Sequence, residues 1–97
     1  MTRISLRQVP DFVSRRQSFK CNESLYAEHR EHGYVVFSCG EHFPVAMYDN
    51  RTSQWLVNED KYSPTTSRHQ SKVRQGVHGS SENASTTYLR QAVAALH

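Results

Sequence analysis

Between Ser63 and Arg74 the chain concentrates groups that can hold an anion. The hydroxyls of Ser63, Thr65 and Thr66, the imidazole of His69 and the cations Arg68, Lys72 and Arg74 fall within twelve residues, and Tyr62 stands immediately before them. Ser63-Pro64 reads as a helix start, with serine at the N-cap and proline at the first helical position. A helix start presents free amides and the positive end of the helix dipole. Hydroxyls would add donors there, and the three cations would add charge. Tyr62, with Trp55 upstream, could stack a base beside the bound phosphate. These eight residues and Trp55 are therefore the candidate site for nucleic acid or another anion. The same side chains could instead cap backbone groups, with His69 in a satisfied polar niche.

Other chemistries find less support. Cys39-x-x-His42 has a permitted zinc-ligand spacing, and Cys21, His29 and His32 could extend the set, but paired short-spaced ligands at both ends are missing. A buried thiol is the simpler reading of Cys39, and no metal or cofactor is expected. Cys39 with His42 or His69 and Asp60 can be drawn as a triad, as six histidines always allow. No nucleophile elbow, Gly-rich phosphate loop or H-E-x-x-H motif accompanies it. The chain therefore reads as a non-enzyme.

Charge is arranged in blocks. Residues 1–20 hold Arg3, Arg7, Arg15, Arg16 and Lys20 against Asp11; residues 21–60 hold two arginines against seven carboxylates; residues 61–97 hold five cations against Glu82. The balances are +4, −5 and +4. If the basic ends meet in space, they form a patch for phosphate or for an acidic protein. Two cysteines with no h-region after Met1 read as free thiols in a reducing compartment, and no apolar run is long enough for a membrane span. The location implied is cytoplasmic.

The elements that would position these groups come from hydrophobic patterning. The 97 residues suffice for one small domain. Residues 4–9 suggest a short edge strand broken at Pro10-Asp11, after which Asp11 could cap a brief helical turn. Residues 24–29, 33–39, 43–49 and 54–58 predict an antiparallel meander of three to four strands over residues 24–58. Pro44 belongs near a strand start or on an edge. A polar helix or an ordered loop follows, from Ser63 to Arg74. Residues 76–85 have the composition of a flexible linker. Thr86–Leu96 is a C-terminal amphipathic helix, with Tyr88, Leu89, Ala92, Val93 and Leu96 on one face. It could pack on the sheet or join two copies as a homodimer. The fold class expected is α+β.

Tyr34-Val35-Val36-Phe37-Ser38, then His42-Phe43-Pro44, Trp55, Asn58 and the run Tyr62-Ser63-Pro64-Thr65-Thr66-Ser67-Arg68-His69-Gln70-Ser71 resemble a small domain of unknown function found in tailed-bacteriophage genomes. The resemblance covers about 40 residues, 34–74, and departs at Cys39, where an aromatic is expected. It implies a phage origin, hence the cytoplasm of an infected bacterium, and a small α+β fold. It brings no activity and no catalytic residue with it. The function expected is that of an accessory protein binding a macromolecule, with the basic, hydroxyl-rich segment on nucleic acid. The alternative is an inhibitor that occludes a host protein of the defence or transcription machinery.

Overall fold

The computed structural model describes residues 2–21 and 24–96. Ten elements follow in order: β1 (Arg3–Ile4), α1 (Val9–Ser14), β2 (Phe19–Cys21), β3 (Leu25–Arg30), β4 (Gly33–Ser38), β5 (Pro44–Asp49), β6 (Gln54–Asn58), α2 (Pro64–Gln75), β7 (Ser81–Ala84) and α3 (Thr86–Ala94), with a 3-10 turn at Leu6–Gln8 before α1. All seven strands form one sheet whose spatial order is the chain order.

This corrects the expected three- to four-stranded antiparallel sheet. The meander over residues 24–58 is present as β3 to β6, but it is only the centre of a mixed sheet. β2 extends it antiparallel to β3, while β1 and β7 add parallel strands at the two edges. The added strands are too short or too polar to show a period-two pattern. β1 has two residues and β2 three. β7, Ser-Glu-Asn-Ala, lies inside the stretch that reads as a linker. Its place comes from backbone pairing with β6, and Ala84 is its one buried side chain. The edge strand expected over residues 4–9 shrinks to Arg3–Ile4, and α1 begins at Val9, before Asp11.

β4 explains the layering. Its six residues are all buried, because helices cover both faces of the sheet's centre. Tyr34 and Val36 join a core with Val9 and Val13 of α1 and Val73 of α2. Val35 and Phe37 point the other way, into a second core with Leu89, Val93 and Leu96. Leu89, Val93 and Leu96 of the C-terminal stripe thus pack on the domain's own sheet with Ala92 beside them, while Tyr88 is exposed. Pro44 begins β5, beside a bulge that shifts the β4–β5 register between Val36 and Phe37, where its missing N–H costs no regular ladder bond.

Topology also dictates where α1 and α2 sit. β1, β2, β6 and β7 all run the same way, and both parallel connections step in the same lateral direction. Two such crossovers of the same hand must land on the same face. α1 and α2 do share a face and pack against each other.

Candidate nucleic-acid interface

α2 begins as its sequence predicts. Ser63 Oγ accepts from Thr66 N at 3.1 Å, and Pro64 opens the helix. Ser67 N donates to Ser63 O at 2.9 Å. The helix start therefore spends these amides on its own cap. The inner stripe is Thr66, His69, Gln70 and Val73, all buried. Val73 is its only apolar member, so polar bonds dock the rest. His69 Nδ1 lies 2.7 Å from Ser38 Oγ at the end of β4. Thr66 Oγ1 lies 3.4 Å from the same serine and accepts from Ser63 Oγ at 3.1 Å. Gln70 donates to Asn58 O at 3.2 Å and Asp60 O at 2.8 Å.

Asn58 is the hub that ties α2, β5 and α3 together. Its side-chain amide donates to Pro44 O at 2.8 Å and Thr86 Oγ1 at 3.0 Å, while its Oδ1 accepts from Asp60 N at 2.8 Å. Asp60 Oδ2 in turn accepts from Thr86 N, the first residue of α3, at 2.7 Å. That backbone bond holds the Asp60 carboxyl below its ordinary range. Ser38 and Asn58 stand in the sequence only among the residues of the family resemblance, with no role at the candidate site. The available signal was the i, i+3, i+4, i+7 spacing of 66, 69, 70 and 73, which marks one helix face even when its members are polar.

The candidate residues therefore separate into two groups. Ser63, Thr66 and His69 turn inward and serve the fold. Thr65 is half-buried. Tyr62, Arg68 and Arg74 are exposed, and Lys72 is half-buried. Arg74 also donates to Asn58 O at 3.2 Å and to Asn83 Oδ1 at 3.4 Å, which ties α2 to β6 and β7. Trp55 is 1% exposed and packed edge-on against Tyr34 and Tyr48, with no face open to a base. The hydroxyls of Ser63 and Thr66 are spent internally, and the outer surface of the segment offers cations, one aromatic ring and the exposed Ser67 and Ser71.

That outer surface is continuous with a second basic segment. α1 meets the end of α2 so closely that a Cβ on Gly76 would stand 2.3 Å from Pro10 O and 2.8 Å from Val13 Cβ. The layer built from the 3-10 turn, α1 and α2 carries Arg7, Arg15, Arg16, Arg68, Lys72 and Arg74, against Asp11 as its one carboxylate. Asp11 pairs with Arg15 at 3.4 Å, both exposed, a contact of small energetic weight. The Arg16 guanidinium lies 4.3 Å from the centre of the Tyr48 ring. Three cations of the basic first block and three of the basic third block thus belong to one helical layer, while Arg3, Lys20, Lys61 and Arg90 lie outside it.

Of the residues drawn as a triad, Cys39 and His69 both neighbour Ser38, whose Oγ lies 3.7 Å from Cys39 Sγ. His69 bonds Ser38, both fully buried, and Asp60 bonds Thr86. Cys39 is an exposed free thiol at the strand end, not a buried one, and Cys21 is a buried free thiol. Cys39 adopts φ 60° and Gly40 φ 110°, which turns the chain towards β5. No helix among the described residues is long and apolar enough to cross a membrane.

The chain belongs to a family of unknown function, DUF8033, whose model matches residues 7–91. The match runs from before α1 into α3, and so takes in the edge strand β7 and the helical layer as well as the meander. No curated protein and no solved structure matches the chain.

Proposed function

We propose that this domain is a non-enzymatic binding module for nucleic acid, and that the α1/α2 layer is its contact surface. The observation that supports this reading is that the layer built from the 3-10 turn, α1, α2 and the turn after α1 carries six cations against a single carboxylate, Asp11. Cations gathered on one surface release condensed counterions from a phosphate backbone, which gives affinity without sequence readout. The bonds from α2 to Ser38 and Asn58 hold that surface in a fixed shape, so little ordering cost accompanies binding. The likeness to tailed-bacteriophage domains sets the module, in this reading, in the cytoplasm of an infected bacterium.

The test is the salt dependence of oligonucleotide binding. With about four phosphates contacted on a single strand, log K should fall with log salt at a slope of about −3. The Arg68→Glu/Lys72→Glu double variant should bind at least about tenfold more weakly with a flatter slope. Absence of salt-dependent binding, together with retention of a nuclease-resistant protein from bacterial lysate, would overturn this reading in favour of occlusion of a host protein.

A further inference from the structure

A separate cavity lies where the chain leaves β6 for α2. It has a volume of about 440 Å³ and is lined by His42, Phe43, Asp60, Lys61, Tyr62, Thr86 and Arg90. Its chemistry differs from that of the α1/α2 layer. Tyr62 is 58% exposed, one of the two large hydrophobic side chains standing most open to solvent among the described residues. Its ring is not loose, because it packs on Phe43 at 5.2 Å between centroids and meets His42 edge-on at 5.9 Å. Phe43 is itself anchored in the main core. The result is a ring braced by the fold with much of its surface still open. Lys61 and Arg90, both exposed, line the same space from different elements.

Taken together these features define what fits. A braced, open aromatic ring is a platform for a planar π-system, and every nucleobase presents one. The Asp60 carboxylate, kept ionised by the Thr86 amide, opposes a phosphate inside the cavity. Lys61 and Arg90 favour a negative charge close by. The arrangement suits a base held in the cavity with its phosphates on the two cations. Tyr62 immediately precedes the cap of α2, and Arg68 lies about 6 Å along the helix axis from Pro64. A strand that seats a base on Tyr62 can therefore continue along the cationic face of α2. Stacked bases inside a duplex do not offer their faces in this way.

We infer that the cavity is a nucleobase-stacking site and that the domain's ligand is single-stranded nucleic acid. This rests on the nucleic-acid reading above and specifies its ligand. The experiment measures binding of a fluorescent single-stranded oligonucleotide and of its duplex to the full chain, with Tyr62→Ala and Tyr62→Phe compared at one salt concentration. Tyr62→Ala should weaken single-strand binding about tenfold, as loss of one base stack does elsewhere. Tyr62→Phe should retain it, and duplex binding should be weak and insensitive to both changes. Thermal unfolding of each variant checks that the fold persists, as the exposure of Tyr62 leads one to expect. If the native chain binds with steep salt dependence while Tyr62→Ala matches it on single strands, the stacking site is wrong and the cationic surface stands. If the native chain binds neither form, both readings fall.

Discussion

Ser38 and His69 form one of the buried polar contacts that place α2 on the sheet. Both are fully buried and 2.7 Å apart, one from a strand and one from a helix. Such a bond adds only about 1 kcal/mol net, yet removing one partner leaves the other desolvated. Ser38→Ala should therefore cost about 1–3 kcal/mol in urea unfolding, and a change within about 0.5 kcal/mol, the scatter of ordinary surface substitutions, would show that the bond does not hold the helix. The hydroxyls of the 62–74 segment were visible in the sequence, but their direction was not. A serine that caps a helix and a serine that meets a phosphate have the same neighbours in sequence. Trp55 illustrates the same gap: a tryptophan in a short strand can face core or solvent, and only the pairing register, Trp55 opposite Tyr48, sends it inward.

At the scale of elements, the sequence was legible wherever side-chain pattern decides structure. The Ser63-Pro64 start of α2, the apolar stripe of α3 and the four central strands all carry their own signal. It was silent where backbone pairing decides. β1, β2 and β7 are short, and β7 is polar, so their places follow from the strands beside them. Their consequence is large, since these strands create the two parallel connections that set α1 beside α2. Gly76 marks the closest approach of the two helices. Its φ of −96° is open to any residue, so the demand for glycine is purely spatial. Gly76→Ala should force α1 away from α2 and lower stability by about 1–3 kcal/mol, the usual range for overpacking. Denaturant unfolding will show it, and the nucleic-acid affinity of the folded variant should drop with it. Full stability in the alanine variant would mean that the two helices are less closely coupled than the geometry demands.

For the molecule as a whole, the block pattern of charge is partly sorted in space. Arg7, Arg15 and Arg16 of the first basic block and Arg68, Lys72 and Arg74 of the last belong to the α1/α2 layer, while Arg3, Lys20, Lys61 and Arg90 lie elsewhere. On the opposite face, Glu28 pairs with Arg30 at 2.7 Å. The Tyr26 phenol there is pushed up by burial and by the nearby carboxylates of Glu41 and Glu28. A polyanion thus meets an excess of cations on the helical layer and a face of mixed charge opposite, where Lys20, Arg30 and Arg90 stand among Glu28 and Glu41. Backbone amide shifts recorded while a single-stranded oligonucleotide is titrated into the protein test this most directly. The account predicts the largest changes over residues 61–75 and in α1, with Tyr26 and Glu28 of β3 unmoved. Changes centred on β3 with residues 64–75 silent, or no changes at saturating oligonucleotide, would contradict it.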